Sequence, residues 1–248
     1  MNSSKSERHP TLVLINFCIL IAAMLNCSNG SADLTRDSAR RLIEDSERFK
    51  SPIVVTLKDR KETPMQPDSA DETEQEALAR VLDMEMSSDL TLAVLRYLGY
   101  ADVKITMVKH GKVEGKGPFA DIQPWVFNIE ATLTDKGKEA AKSQGLTGDK
   151  AVPLAHREVV EVTGIRKEGI PGEADFTWKA VPTEAGKAFD PASNTFKNLP
   201  SELREALTKS RGIGPFASSG TTNWADVYKA GAVFQKYDDG WRLTGVRV

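Results

Sequence analysis

WVFNIEATL, residues 125–133, alternates apolar and polar side chains without interruption. The odd-numbered positions hold Trp, Phe, Ile, Ala and Leu, and the even-numbered positions hold Val, Asn, Glu and Thr. A period of two is typical of a strand that buries one face. Thr134 follows directly, and its hydroxyl can cap a short helix that carries Gly137 and Lys138. The segment therefore predicts a strand that leads straight into a helix.

A second junction of the same kind lies 49 residues further along the chain. Phe127–Ala140 aligns with Phe176–Phe189, and Phe, Ala, Thr, Gly and Lys coincide at five of the fourteen positions. Coincidence within a common type of junction explains this match as well as an internal repeat does. If the repeat is real, it predicts two related strand–strand–helix units, with residues 155–165 as the strand before the second junction.

The remaining patterns place helices mainly before this segment and strands mainly after it. The fold class predicted is α+β, with N-terminal helices followed by a mostly antiparallel β-sheet that carries short helices. A signal peptide with a short tether is predicted at 1–32, a helical half at 33–149 and an antiparallel β half at 150–248. The two halves can also form one domain. The elements predicted are helices at 35–49, from the capping box of Thr73 and Glu76, at 88–98 and near 201–207; strands at 53–57, 103–108, 224–237 and 241–248; and exposed loops at 59–72 and 111–118.

Composition and charge exclude some classes of protein. Hydrophobic residues make up 40% and charged residues 27% of the chain, which excludes wholesale disorder. The net charge is −2. Nucleic acids and anionic membranes select clustered Lys and Arg, so we expect no nucleic-acid partner.

The N-terminus has the pattern of a signal peptide. Lys5, Arg8 and His9 precede an uncharged run, Thr11–Leu25, which is shorter than the ~20 residues that span a bilayer. A buried helix and an uncleaved membrane anchor are the alternative interpretations. Export is the prediction.

Two cleavage sites compete at the end of this leader. The sequence Leu25-Asn26-Cys27-Ser28 resembles the lipobox of bacterial lipoproteins, in which the cysteine is acylated and becomes the new N-terminus. Asn26 departs from that pattern, because a small residue is usual there. Cleavage after Ala32 is the alternative. Residues 28–248 contain no cysteine, which excludes a disulfide or a catalytic thiolate there and favours Cys27 as a lipid-attachment site.

Catalytic patterns are sparse. His156 lies in a predicted strand, on the face of Leu154, Glu158, Val160 and Val162, so His156 and Glu158 are the candidate polar site. His110 is predicted to lie in a solvated turn. The loop GKVEGKG, residues 111–117, lacks Walker spacing, and residues 214–220 lack the Gly-x-Ser-x-Gly spacing of a nucleophile elbow. We therefore expect no cofactor and no metal, and binding is favoured over catalysis.

Three resemblances accompany these patterns. Residues 88–143, with the element Leu133-Thr134-Asp135-Lys136-Gly137, resemble the recognition helix, wing and last helix of winged-helix regulators. Arg96 is the only cation of the supposed reading helix, a departure that argues against DNA binding. Residues 234–243 are similar to the last hairpin of cystatin-like and NTF2-like exported domains. The whole pattern most resembles uncharacterised bacterial lipoproteins.

The leading hypothesis is a lipid-anchored envelope protein that acts by binding or scaffolding. Its partners would be the membrane, through an N-terminal lipid on Cys27, and an envelope protein. The outer membrane is favoured, and free secretion is the other localisation considered. The alternatives are an exported hydrolase or small-ligand-binding enzyme that uses His156 and Glu158, and a membrane-tethered winged-helix DNA-binding protein.

Overall fold

The computed structural model describes residues 33–69, 71–114, 121–167, 171–210 and 224–247. The predicted signal peptide, Cys18, Cys27 and the serine-containing loop at 214–220 lie outside the described residues. The described residues group into two compact units, which interleave along the chain. Of the described residues, those within 1–43, 161–176 and 230–248 belong to one unit, and those within 44–160 and 177–229 belong to the other.

The α+β class is confirmed by the elements and their pairing. All strand pairs whose register is defined are antiparallel. The strand orders are β1-β7-β8-β9-β10, β2-β6-β3 and β4-β5. In chain order the elements are α1 (Arg36–Glu44), α2 (Glu47–Lys50), β1 (Ile53–Thr56), β2 (Arg60–Met65), α3 (Glu74–Ser88), α4 (Leu90–Tyr97), β3 (Ala101–Lys109), β4 (Lys112–Glu114), β5 (Asp121–Gln123), β6 (Trp125–Leu133), α5 (Asp135–Ser143), β7 (Ala151–Arg166), β8 (Gly172–Pro182), a 3₁₀ turn (Gly186–Phe189), α6 (Asn194–Lys197), α7 (Ser201–Lys209), β9 (Val227–Tyr237) and β10 (Gly240–Arg247).

Strand β6 lies at the centre of the three-stranded sheet, as its alternation predicts. The five apolar side chains at its odd-numbered positions are buried, and Phe127 and Ala131 are fully inaccessible. Ala77 and Val81 of α3 and Met65 of β2 join the same apolar cluster. Burial of this face stabilises the sheet by ~25 cal/mol for each Å² of apolar surface removed from water.

Helix α3 begins at its predicted capping box, whereas α4 begins at Leu90, because Ser88 of the predicted helix 88–98 is the last residue of α3. Thr73 and Glu76 form a reciprocal capping box, in which the Glu76 amide donates to Thr73 Oγ1 and the Thr73 amide donates to Glu76 Oε2. Asp89 caps α4 by accepting a hydrogen bond from the Leu92 amide at 2.9 Å. Gly99 ends this region with φ +74°, a left-handed conformation that favours glycine.

The loop predicted at 59–72 is wrong in its first half. Residues 60–65 form β2, which pairs with β6 from Met65 opposite Trp125 to Arg60 opposite Ile129. The register shifts between Arg60 and Thr63, and Glu62 there has φ 49°. A bulge and a proline interrupt the period of two, so the segment has no strand pattern in its sequence. Part of the predicted loop at 111–118 is also a strand, because β4 pairs with β5.

Strands β9 and β10 pair as an antiparallel hairpin. Gly240 lies opposite Tyr237 and has φ 130°, so Asp238 and Asp239 form the two-residue turn that their sequence predicts. The helix predicted at 35–49 is shorter than expected, because α1 ends at Glu44 and a separate helix, α2, begins at Glu47.

Candidate functional site

The junction after β6 is locked by the hydroxyl of Thr134. Its Oγ1 accepts a hydrogen bond from the Gly137 amide at 3.2 Å and donates one to the Gly99 carbonyl at 2.5 Å. The Thr134 amide donates to the Tyr100 carbonyl at 3.2 Å. One side chain therefore caps helix α5 and ties it to the chain that enters β3.

The junction after β8 repeats this arrangement. Thr183 Oγ1 accepts from the Gly186 amide at 3.1 Å and donates to the Pro153 carbonyl at 2.8 Å. The Thr183 amide donates to the Leu154 carbonyl at 2.8 Å. Each hydrogen bond of the first junction thus has a counterpart in the second, including the two consecutive carbonyls that serve as acceptors.

The glycine of each junction lies against the carbonyl that accepts a hydrogen bond from the amide of the capping threonine. A Cβ atom on Gly137 would lie 2.1 Å from the Tyr100 carbonyl oxygen, and one on Gly186 would lie 1.8 Å from the Leu154 carbonyl oxygen. Both distances are far inside van der Waals contact, so only glycine fits. The positions that coincide in the sequence alignment, Thr134 with Thr183 and Gly137 with Gly186, therefore have the same structural roles.

A cleft of about 450 Å³ lies beside these two junctions. This volume falls within the range of ~300–1,000 Å³ that is usual for small-molecule sites. Two prolines and two alanines form the apolar part of its lining, called its floor below, and charged side chains belong to the same lining. The lining residues are Tyr100, Lys136, Glu139, Ala140, Ser143, Gln144, Pro153, His156, Pro182, Thr183, Glu184 and Ala185.

The aromatic wall of the cleft is Tyr100, which is only 6% exposed. Lys136 Nζ lies 4.2 Å from the centre of its ring and donates a hydrogen bond to the Leu98 carbonyl at 2.7 Å. Burial raises the pKa of the Tyr100 hydroxyl, and the negative charge of Glu184 raises it further. The hydroxyl is therefore held neutral, as a hydrogen-bonding group, across the physiological range.

Two carboxylates border the cleft. Glu139 lies on α5, three residues after Lys136, and its side chain is exposed. Glu184 directly follows the capping Thr183 and forms an ion pair with Lys187, which does not line the cleft. The cleft thus offers negative charge beside an aromatic ring and an apolar floor.

Only one of the two candidate residues, His156 and Glu158, lines the cleft. His156 lines the cleft from β7. Glu158 is not among the lining residues, and its carboxylate pairs with Lys179 of β8 at 3.3 Å. The face predicted for this strand is also interrupted, because Leu154 and Val162 are buried whereas Val160 is 40% exposed. The predicted site of His156 with Glu158 is therefore not assembled in the cleft.

The supposed reading helix of the winged-helix stretch is largely covered. Leu92, Ala93, Val94 and Leu95 of α4 are buried, and α4 packs against α3, α7 and β3. Its cation Arg96 borders a groove shared with Leu203 of α7. His110 follows β3, as expected for a turn, and its ring lies 5.7 Å from that of Trp125.

Among the described residues, no group of three or more His, Cys, Asp or Glu side chains could hold a metal ion. Within the same part of the chain, no helix is both long enough and apolar enough to cross a membrane. Cys27, the predicted lipid-attachment site, lies outside it.

Comparison with known proteins identifies no relative of this chain. No protein-family model, curated protein or solved structure matches it. The site must therefore be interpreted from its own residues. Sequence reasoning identified His156 but missed Tyr100, Lys136 and Glu184, although the repeated Thr-x-x-Gly pattern marks the segments from which two of these three come.

Proposed function

We propose that this protein is an exported, lipid-anchored cell-envelope protein that acts by binding a small ligand in the cleft beside the two junctions. The cleft carries the binding part of the proposal, because it combines an apolar floor, a fixed aromatic ring and charged groups at its edge. Export and the lipid anchor are supported by the leader Thr11–Leu25 and by Cys27.

Binding is favoured over catalysis by the contacts of the lining residues. His156 is the base that a hydrolase would need, but Glu158 pairs with Lys179 instead of orienting it. The hydroxyl of Thr183 is already committed to two backbone groups. A DNA-binding role is disfavoured because α4 buries half of its eight residues and packs against α7.

The lipid anchor predicts a specific mass for the mature protein. The chain isolated from a membrane fraction should begin at Cys27 and carry two or three acyl chains, and the Cys27→Ala variant should lose them. Intact mass spectrometry of both proteins measures this. An unmodified wild-type chain beginning near Asp33 would replace the lipid anchor by free secretion, and a chain that retains Met1 would contradict export with cleavage.

The binding role predicts that obstruction of the cleft abolishes ligand contacts. Ser143 is exposed on α5 and lines the cleft, so Ser143→Trp should fill it without disturbing the core. In a fragment screen by NMR, compounds that shift the Tyr100 and Thr183 amide signals of the wild type should no longer shift them in this variant. Ser143→Ala is the matched control and should behave as the wild type does. A screen in which no compound shifts these signals would contradict the proposal.

A further inference from the structure

The face of the Tyr100 ring already holds an ammonium group. Lys136 Nζ lies 4.2 Å from the ring centre, well within the ~6 Å range of a cation–π contact. The ring is fixed by burial, whereas Lys136 is exposed on the first turn of α5. The immobile partner is therefore the aromatic face, and the Lys136 ammonium can leave it by giving up its hydrogen bond to the Leu98 carbonyl.

Two carboxylates, Glu139 and Glu184, line the cleft with Tyr100, and neither pairs with Lys136. In the described part of the chain, neither Lys136 nor Glu139 forms an ion pair. Glu184 approaches from the other junction, and its charge acts on the Tyr100 hydroxyl. Two carboxylates and one ammonium group line the cleft, and Lys187 pairs with Glu184 from outside the lining, so Glu139 is the lining carboxylate that can receive a further cation.

We propose that the ligand carries a primary ammonium on an alkyl chain, and that its ammonium binds the Tyr100 ring in place of Lys136, with Glu139 as its counter-ion. The alkyl chain would lie on Pro153, Pro182 and Ala185, which supply the apolar floor. The inference rests on the proposed binding function and specifies its ligand class. Lys136 is then an internal competitor that covers the ring when the cleft is empty.

The decisive variant is Lys136→Ala, because removal of a competitor must strengthen binding. We expect n-butylammonium to shift the Tyr100 and Thr183 amide signals of the mature protein in an NMR titration. Its Kd should fall about fivefold in Lys136→Ala, the equivalent of a cation–π contact of ~1 kcal/mol. Lys138→Ala is the matched control, since Lys138 lies on the same helix, pairs with Asp135 and does not line the cleft. Its Kd should equal that of the wild type.

Charge must be the recognised property. The neutral analogue n-butanol should not compete with n-butylammonium, and Glu139→Gln should weaken binding of n-butylammonium several-fold. Two further probes distinguish the sources of such a group: spermidine represents a free polyamine, and N-acetyl-lysine methylamide represents a lysine side chain of a polypeptide. The tighter of the two identifies the source.

A result in which Lys136 is required for ligand binding, instead of competing with it, would overturn the proposal. If n-butyrate binds the wild type, n-butylammonium does not, and Lys136→Ala abolishes the binding of n-butyrate, then the cleft is a binding site for anions and only the ammonium proposal fails. If none of these probes and no compound of the fragment screen shifts a cleft signal, the proposed binding function fails as well. Unchanged n-butylammonium affinity in Lys136→Ala would also refute the exchange of one ammonium for another.

Discussion

Gly186→Ala is expected to destabilise the protein by about 3 kcal/mol or more, at or beyond the upper end of the usual cost of overpacking. The added Cβ would lie 1.8 Å from the Leu154 carbonyl oxygen. This oxygen cannot easily move away, because it accepts the hydrogen bond from the Thr183 amide at 2.8 Å. Relief of the clash must separate the 3₁₀ turn from β7 and break the hydrogen bonds of Thr183.

Urea denaturation monitored by circular dichroism measures the loss. The matched control is Gly245→Ala, since no atom lies within 4 Å of a Cβ placed there, and its free energy of unfolding should stay within about 0.5 kcal/mol of the wild type. Gly137→Ala should lose stability for the same reason as Gly186→Ala, because its Cβ would lie 2.1 Å from the Tyr100 carbonyl oxygen. Equal stability of Gly186→Ala and Gly245→Ala would show that the second junction is not packed as described.

Local sequence signals predicted the elements whose cause is local. The alternation of β6, the capping box of Thr73 and Glu76, and the Asp238-Asp239-Gly240 turn each depend on residues that are neighbours in sequence. These features agree with the structure to within one or two residues. The capping threonines and the junction glycines were also visible in the sequence, because they coincide in the fourteen-residue alignment at an offset of 49 residues.

The features that were missed depend on contacts between distant segments. Strand β2 has no alternation of its own and is defined by its pairing with β6, with Met65 opposite Trp125. The cleft brings Tyr100, Lys136 and Glu184 together from three separate segments, so no short motif could reveal it. In β7 the buried residues Ala155, Val159 and Val162 are spaced by four and three, which breaks the single face that was predicted for His156 and Glu158.

A buried carboxylate in the predicted loop 59–72 leads to the second large effect. The Glu72 side chain is only 5% exposed. It accepts hydrogen bonds from Arg80 Nε and Nη2, each at 2.9 Å, from the Trp125 indole at 2.9 Å and from the Asp68 amide at 3.1 Å. Arg80 is the only cation among these donors, so it alone balances the charge.

Arg80→Met should therefore cost about 3 kcal/mol, the lower end of the loss that follows removal of one partner of a buried ion pair. The lower end applies because the Arg80 side chain is 30% exposed, and water can partly replace it. Arg80 Nη2 also donates to the Gln66 carbonyl at 2.8 Å, so the variant releases this segment from α3 as well. Methionine keeps the apolar stem on the helix, which confines the change to the charge and the hydrogen bonds.

Two comparisons separate lost charge balance from lost packing. Arg96→Met removes an exposed cation of α4 that forms no ion pair within the described residues, and its free energy of unfolding should change by less than about 0.5 kcal/mol. Adding Glu72→Gln to Arg80→Met should recover at least ~1 kcal/mol, because the uncompensated buried charge is then removed while the amide oxygen can still accept from Trp125. A double variant less stable than Arg80→Met would mean that the neutral donors alone sustain the carboxylate. Glu72 would then act mainly as the hydrogen-bond acceptor for the Trp125 indole, and Arg80 would not be needed to balance its charge.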